Sequence, residues 1–193
     1  MAIDHDLELM LRVRRGDGAS FDELLRRHRV PLVNYFSRLV RDRTLAEDLA
    51  QEAFLRVYQA RHRYEPEAKF TTWLYRIATN LALNALRDRK TTQAPAEAGD
   101  EKAESPASGI ADSRPTAEEQ MILSDRERLV REAVEALPQN QRAAVVLHKY
   151  QEVDYRQIGQ ILGVSESAVK SLLFRAYENL RGRLAPLLKG GQI

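Results

Sequence analysis

The sequence predicts an all-α protein in which a flexible acidic linker joins two small helical domains, the second of them containing a helix-turn-helix. In both halves of the chain, apolar residues recur three and four positions apart, which is the spacing of a helix face. No stretch alternates convincingly between apolar and polar residues as a half-buried strand does. Between the halves, the stretch from Gln93 to Glu119 has seven acidic residues against two basic ones.

Composition excludes several classes of protein. The chain has 193 residues, of which 44% are hydrophobic, as expected for a folded protein of one domain or two. It has no cysteine, which removes disulfide scaffolds, thiolate metal sites and thiol redox sensing. The first ten residues lack the basic start and apolar core of a signal peptide. The longest apolar run that we find, Ala143 to Leu147, is far short of the ~20 residues of a membrane span, so we expect a cytoplasmic protein without membrane insertion.

The first domain should contain three helices. One is predicted from Phe21 to Val40, and Pro31 suggests a kink or break within it. A second begins near Thr44, a possible cap, and its apolar positions are Leu45, Leu49, Ala53, Val57 and Ala60. The third is predicted over 71–89, with a core face made by Leu74, Ile77, Ala78, Leu81 and Ala85.

Residues 93–117 are predicted to be a linker. This segment contains prolines and glycines and almost no large apolar residue, so it cannot bury enough surface to offset the entropy lost on ordering. A catalytic lid is the alternative, but none of its residues is suited to chemistry. The domains are therefore predicted at 1–92 and 118–193.

The most specific pattern in the second domain is a helix-turn-helix. Asp154, three residues before Gln157, resembles a capping box at the start of a short helix. Gly163 can adopt the left-handed conformation that ends this helix, and Ser165 can cap the next one, predicted over 166–184. Two helices joined by such a tight turn form a helix-turn-helix.

Packing requirements support this motif. Gly159 lies where the crossing of the two helices should leave no room for a large side chain, and Pro138 begins a supporting helix. An ordinary helical hairpin would not need Gly159, Gly163 and Ser165 together. The residues expected to be buried between the helices are Ile158, Leu162, Val164, Val169 and Leu172.

The second helix of the motif has two faces. Val169, Leu172, Leu173, Ala176 and Leu180 are predicted to face inward. The opposite face is basic and hydroxylated, as suits the major groove of DNA, and consists of Ser167, Lys170, Ser171, Phe174 and Arg175. An exposed Phe174 could contact a thymine methyl group. Alternatively, Phe174 packs under the preceding helix.

Two segments resemble a known family. DRTLAEDLAQEAFLRVYQARHRY, followed after a short gap by FTTWLYRIATNLALNALRDRK, resembles domain two of bacterial sigma factors. EALPQNQRAAVVLHKYQEVDYRQIGQILGVSESAVKSLLFRAYENLRGRL resembles domain four of the same proteins. The two segments occur in the same order as in sigma factors, and only the predicted linker separates the two domains. The chain therefore resembles the extracytoplasmic-function (ECF) class, over about four-fifths of its length.

The resemblance implies binding of core RNA polymerase, recognition and opening of the −10 promoter element by the first domain, and reading of the −35 element by the second. The −10 contacts would fall on Trp73, Arg76, Asn80, Asn84 and Arg87, on one side of the 71–89 helix. Arginines position the DNA backbone, and asparagine can bond a base edge. Trp73 can instead brace the core. Residues 63–69 match the loop that accepts a flipped base.

The resemblance also assigns a polymerase-binding face and the −35 contacts. The polymerase-binding face consists of Asp48, Gln51, Glu52 and Leu55, although acids at a helix start are also favoured by the helix dipole alone. The −35 contacts are Lys170, Ser171, Phe174 and Arg175, together with His148 where the family often has arginine. A histidine is mostly neutral near pH 7, so a phosphate contact there is weaker or shifts to Lys149.

Other functions fit less well. The four histidines are scattered, and there is no phosphate-binding loop or nucleophile elbow, so we expect no enzyme activity, no metal and no cofactor. A helix-turn-helix regulator that binds duplex DNA unaided is the main alternative, and a structural or adaptor role is a distant third. The resemblance further implies an anti-sigma protein as a partner, which the sequence does not identify.

Overall fold

The computed structural model describes residues 4–92 and 117–189, with side chains for 4–89 and 125–185. All regular structure in these ranges is helical, which confirms the all-α prediction. The predicted linker lies outside the described residues except for Ala117, which begins a helix. The helices are α1 (His5–Arg14), α2 (Gly18–Val40), α3 (Arg43–Gln59), α4 (Phe70–Thr92), α5 (Ala117–Glu135), α6 (Gln139–Tyr150), α7 (Tyr155–Leu162) and α8 (Glu166–Lys189).

The sequence suggests a kink or a break at Pro31, but helix α2 is continuous through this residue, so a break is wrong. Proline removes the hydrogen bond that its N–H would donate one turn back. Pro31 is exposed, so water can reach the carbonyl that lacks this bond. Leu24 and Leu32, both fully buried, anchor the helix on either side. Packing of the apolar face therefore outweighs one missing main-chain bond.

The cap of α3 is Asp42, and the prediction of Thr44 is wrong. The Asp42 carboxylate accepts a hydrogen bond from the Leu45 N–H at 2.9 Å, which satisfies one of the free donors of the first turn. Thr44 is already the second residue of the helix and is exposed. Both residue types are good caps, so the sequence alone could not choose between them.

Two of the helices were not predicted from the sequence. Helix α1 is capped by Asp4, and Arg14 near its end donates a hydrogen bond to the Tyr64 carbonyl at 3.2 Å. Helix α5 carries mixed charges, and its last turns contribute buried residues such as Ala133 and Val134. Helix α4 follows the prediction more closely, since Leu74, Ala78 and Leu81 are buried while Ile77 and Ala85 are half-buried.

The helix-turn-helix forms as predicted. The Asp154 carboxylate accepts a hydrogen bond from the Gln157 N–H at 2.8 Å, and Gly163 ends α7 with φ 68°. The Ser165 hydroxyl accepts a hydrogen bond from the Ala168 N–H at 3.2 Å in the first turn of α8. Each turn residue thus satisfies main-chain groups that would otherwise lack a partner at the helix ends.

Gly159 is in close contact with the turn itself. A Cβ atom at this position would lie 2.8 Å from the Val164 carbonyl oxygen. Ile158 and Val169 are buried as predicted, and Leu162 and Leu172 are half-buried. The Val164 side chain is 39% exposed, so the prediction that it is buried is wrong. The contact with α7 is made by its main chain, which leaves its side chain facing solvent.

The helices fall into two groups that share one core. We call α1–α4 the N-terminal group and α5–α8 the C-terminal group. Helix α2 packs against α6 and helix α4 against α7, so that a single cluster of buried side chains includes residues of both groups. Among the described residues, no helix combines the length and the apolar character needed to cross a bilayer.

We predict that Gly159→Ala destabilises the protein by about 1–3 kcal/mol, because α7 and the turn must move apart to admit the new methyl group. Urea unfolding measured by circular dichroism gives the change in free energy.

Gly182→Ala is the matched control, since a Cβ atom there meets nothing within 4 Å. This change should stabilise the protein by up to about 1 kcal/mol, because alanine is the better helix former. A Gly159→Ala variant as stable as the wild type would contradict the prediction.

Candidate nucleic-acid and polymerase-binding surfaces

The outer face of α8 is open to solvent. All five residues predicted to lie on it are exposed: Ser167, Lys170, Ser171, Phe174 and Arg175. Phe174 is 68% exposed, so the alternative in which it packs under the preceding helix is wrong. On the opposite side, Val169, Leu173 and Ala176 are buried as predicted. The structure therefore presents a large aromatic side chain to solvent between basic and hydroxylated neighbours.

Local contacts orient part of this face. Lys170 pairs with Glu166 at 2.9 Å, and the Ser171 hydroxyl donates to the Ser167 carbonyl at 3.1 Å. An exposed ion pair of this kind contributes only about 0–1 kcal/mol. Lys170 can therefore exchange Glu166 for a phosphate or a base acceptor at little cost.

His148 differs from the exposed basic contact that the resemblance suggested. It is half-buried, its Nδ1 lies 3.0 Å from the Tyr177 hydroxyl, and its ring packs 5.1 Å from that of Tyr155. Burial, helped by the charge of Lys149, lowers the pKa of His148 below 6.5, so the imidazole is neutral at pH 7. A neutral His148 can hydrogen-bond a phosphate but adds no positive charge. The neighbouring Lys149 is exposed and carries such a charge.

The surface around His148 includes residues that sequence reasoning missed. His148 lies in a shallow, open depression at the start of α7. Tyr155 and Arg156 supply an aromatic ring and a cation next to the main-chain N–H groups of the first turn, where anions are favoured. The signal in the sequence was their position directly after the capping Asp154. The other residues lining the depression are Asp154 and Glu166.

Helix α4 presents the predicted polar face. Arg76, Asn80, Asn84 and Arg87 are all exposed, and they follow one another at helical spacing along one side. Arg87 donates a hydrogen bond to the Asn84 side-chain oxygen at 3.1 Å. The face thus combines cations with amide groups that can bond base edges.

Trp73 belongs partly to the core. Its ring centroid lies 5.0 Å from that of Tyr64 and 6.3 Å from that of Phe70, and the residue is half-buried. Tyr64 is only 1% exposed and anchors the start of the loop over 63–69, whereas Glu65, Pro66 and Glu67 are exposed. The indole therefore packs against this loop, and the residue remains partly exposed.

Helix α3 carries a mixed acidic and apolar face. Asp48 and Gln51 are exposed, Glu52 is partly exposed and pairs with Arg56 at 2.7 Å, and Leu55 is 50% exposed. Tyr58, one turn further on and 40% exposed, extends the face and was missed. Its position three residues after Leu55 was the available signal.

A salt bridge connects the helices that carry these two faces. Asp42, the cap of α3, pairs with Arg89 near the end of α4 at 2.5 Å. The Leu45 N–H, together with Arg89, holds the pKa of Asp42 below 3.8. The start of α3 is thereby fixed against the end of α4. Among the described residues, no group of histidines and carboxylates is placed to hold a metal ion.

These surfaces define a helix-turn-helix protein with a second face suited to nucleic acid on a separate helix. The family model for Sigma-70 region 2 matches residues 24–92, and that for Sigma-70, region 4 matches residues 127–180. RNA polymerase sigma-H factor of Pseudomonas aeruginosa is 32% identical over 188 residues, covering 96% of this chain and 97% of the relative. The chain belongs to the sigma-70 family of RNA polymerase sigma factors and resembles its ECF class.

Two further relatives are also RNA polymerase sigma factors. RNA polymerase sigma factor CarQ of Myxococcus xanthus is 35% identical over 178 residues, covering 92% of this chain and 97% of the relative. ECF RNA polymerase sigma-E factor of Escherichia coli is 31% identical over 185 residues, with 95% and 96% covered. The matches therefore extend over nearly the full length of both chains.

Solved structures support the fold. CnrH in complex with the cytosolic domain of CnrY aligns with a TM-score of 0.67 at 22% identity, over 98% of this chain and 100% of that one. The sigma factor RpoE from Bartonella quintana, in complex with the anti-sigma factor NepR, gives 0.67 at 21% identity, over 86% and 96%. At these identities the likeness establishes the helical architecture.

We predict that Asp42→Ala destabilises the protein by about 1 kcal/mol at pH 7, because α3 loses its cap. Asp42→Asn retains a capping oxygen but loses the charge that pairs with Arg89, so it should be less harmful. Urea unfolding at a series of pH values measures both differences.

The pKa of Asp42 is lower in the folded protein than its ordinary value of 3.8. The stability contributed by its charge should therefore be present in full well above pH 3.8 and be lost as pH falls through the lower, folded-state pKa. A difference between wild type and Asp42→Asn that grows with acidification would contradict this assignment.

Proposed function

We propose that this chain binds core RNA polymerase and directs it to promoters that contain −10 and −35 elements, where it helps to open the DNA. The observation that carries the proposal is that one chain exposes two separate faces suited to nucleic acid, on α4 and α8. A helix-turn-helix regulator needs only the face on α8. Membership of the sigma-70 family supports the same function.

In the C-terminal group, α8 is proposed to enter the major groove at the −35 element. Lys170 and Arg175 are suited to guanine acceptors or phosphates, and Phe174 is suited to a thymine methyl group. Ser171 can bond either a base or the backbone. His148, neutral and half-buried, is proposed to hydrogen-bond a phosphate rather than to pair with it as a cation.

In the N-terminal group, the polar face of α4 is proposed to act at the −10 element. Arg76 and Arg87 would position the backbone, while Asn80 and Asn84 would bond exposed base edges. A base that leaves the duplex costs a few kcal/mol of stacking and must be held elsewhere. The partly exposed Trp73 and the neighbouring loop over 63–69 are proposed to hold it.

The mixed face of α3 is proposed to bind polymerase. Leu55 and Tyr58 supply exposed apolar area, and Asp48, Gln51 and Glu52 surround it with acidic and polar groups. Such a face suits a basic helix with apolar residues at its centre. An anti-sigma partner is also proposed, because one of the similar structures is the sigma factor RpoE in complex with the anti-sigma factor NepR.

The proposed role is that of a specificity factor, so the chain itself catalyses no reaction. Binding to polymerase and chromosomal DNA would place it in the cytoplasm. The chain alone should bind a promoter weakly, because two separate contacts reinforce one another only when their spacing is held.

Transcription with purified bacterial core polymerase tests the function. Genomic DNA from the source organism serves as template, and sequencing of transcript 5′ ends maps the start sites. We predict defined starts that depend on this protein. Phe174→Ala should lower transcription from such a promoter by about tenfold, as for one lost base contact.

Val130→Ala is the matched control for Phe174→Ala, because Val130 is 37% exposed and lies on α5, away from the outer face of α8. The Val130→Ala variant should support the same level of transcription by core polymerase as the wild type does. If the protein instead binds duplex promoter DNA tightly on its own and never gives defined starts with core polymerase, it is a conventional regulator.

We predict that Leu55→Ala weakens binding to core polymerase by about tenfold, as expected for truncating an apolar anchor in an interface. Fluorescence anisotropy with labelled protein measures the dissociation constant. Val30→Ala is the control, since Val30 is 64% exposed on α2 and outside the proposed face. If the Leu55→Ala variant and the wild type bind core polymerase equally well, this face is not part of the polymerase interface.

A further inference from the structure

Opposed influences act on the charge of His148. The residue lies in the last turn of α6, where the helix dipole favours a cation. Its partial burial and the neighbouring Lys149 act in the other direction and lower the pKa of His148 below 6.5. The imidazole is therefore neutral at pH 7 in the free chain, but a negative charge placed beside it would favour the protonated form.

The hydrogen-bond partner of His148 is compatible with both protonation states. The imidazole Nδ1 lies 3.0 Å from the Tyr177 hydroxyl. Burial, helped by the nearby Tyr155, raises the pKa of Tyr177, so this hydroxyl keeps its proton at neutral pH. A hydroxyl can donate to the neutral imidazole or accept from the imidazolium. Protonation of His148 therefore costs no hydrogen bond.

The second ring nitrogen of His148 is available to a ligand. Among the described residues, none bonds to Nε2. His148 lines the open depression at the start of α7, together with the exposed Arg156, and the adjacent Lys149 is exposed as well. An anion that enters this depression would thus meet two cations and an imidazole nitrogen without a protein partner.

The carboxylates that line the depression are engaged elsewhere. Asp154 accepts from the Gln157 N–H at 2.8 Å, and Glu166 pairs with Lys170 at 2.9 Å. From α2, Arg38 approaches the end of α6 but lies over the Tyr150 ring. The ionisable groups around His148 are Lys149 on its own helix, Asp154, Tyr155 and Arg156 at the start of α7, and Glu166 and Tyr177 on α8.

We propose that His148 is a proton-linked contact to DNA, at which a bound phosphate draws one proton from solvent onto the imidazole, so that the C-terminal group holds duplex DNA more tightly as the pH falls. In the protonated state, the Nε2–H donates to a phosphate oxygen and the Nδ1–H donates to the Tyr177 hydroxyl oxygen. The inference rests on the proposed DNA binding by the C-terminal group and does not depend on polymerase.

The direction of the effect follows from the pKa of His148 in the two states. In the free chain this pKa is below 6.5, and an adjacent phosphate raises it in the complex. The affinity for DNA should rise as the pH falls through the pKa of the complex, and it should level off below the pKa of the free chain. Above this window the contact is the neutral hydrogen bond, and below it the contact is an ion pair.

Binding of the full-length chain to duplex DNA, measured by fluorescence anisotropy between about pH 8 and about pH 5.5, tests the proposal. The probe is a duplex enriched from a random pool by its binding to the chain, so it does not presuppose a promoter. We expect the wild type to bind about tenfold more tightly at the acidic end. The slope of log K against log salt should steepen by about one, because one more phosphate is neutralised.

His148→Gln removes the titrating group and keeps a neutral side chain that forms hydrogen bonds. This variant should bind DNA as the wild type does at about pH 8, and it should show neither the rise in affinity nor the steeper salt slope in acid. His5→Gln is the matched control, since His5 is exposed on α1, outside the proposed DNA contacts. It should keep the full wild-type response. A wild-type affinity that does not change with pH, or an equal rise in His148→Gln, would overturn the proposal.

Tyr177→Phe gives a second test, which decides the question if circular dichroism shows that His148→Gln unfolds. Without the hydroxyl, the imidazolium has no acceptor for its Nδ1–H, so the rise in DNA affinity should move to lower pH. The affinity at about pH 8 should stay that of the wild type. A loss of affinity that is equal at every pH, or a rise at the same pH as in the wild type, would count against the proton-linked contact.

The two hypotheses fail separately. If core polymerase gives no defined start sites while duplex binding still shows the rise that depends on His148, the proposed function falls and the proton-linked contact remains. If transcription is promoter-dependent while the wild type and His148→Gln bind DNA equally at every pH, the proton-linked contact alone is rejected.

Discussion

Burial of one apolar side of each helix in a common cluster is the constraint on which the rest of this structure depends. The cluster includes residues from both helical groups, from Met10 in α1 to Ala176 in α8. A helix that buries one side must turn its other side outward. The polar faces of α3, α4 and α8 are therefore fixed in direction by the core beneath them. Phe174 departs from this division into buried apolar and exposed polar sides, because this large apolar residue is 68% exposed.

Functional faces are further positioned by a few polar contacts at helix ends. Asp42 caps α3 and binds Arg89 of α4, so the proposed polymerase and −10 faces keep a fixed relation. The Ser165 cap and the contact of Gly159 with the Val164 carbonyl set the angle at which α8 leaves the turn. The same type of interaction, a side chain that satisfies free main-chain groups, recurs in Arg142 between the two groups. The local caps and this polar contact between the groups thus rely on one kind of chemistry.

The two helical groups are joined by both apolar and polar contacts. The groups share one cluster of buried apolar side chains, and the Arg142 bond to the Leu39 carbonyl and the Tyr75 bond to the Gln151 side chain add polar contacts to it. The exposed Lys170–Glu166 pair on the outer face of α8 contributes little stability and can be exchanged at little cost. The exposed ion pair on α8 thus contrasts with the residues inside the helix-turn-helix, such as Ile158 and Val169, which are fully buried.

The sequence by itself determined the all-α class, the bounds of α7, the left-handed Gly163 and the exposed face of α8, because helical periodicity and turn chemistry are local properties. From the sequence alone, the cap of α3 was expected at Thr44, a kink or break at Pro31 and a buried side chain at Val164. The structure differs at Thr44 and Val164 and has no break at Pro31, since neighbours distant in sequence decide whether a local preference is overridden. The half-burial of His148 and Trp73 was likewise decided by tertiary contacts with Tyr177 and Tyr64. Arg142 was missed altogether, because its bond to Leu39 joins residues 103 positions apart and no local pattern records such a partner.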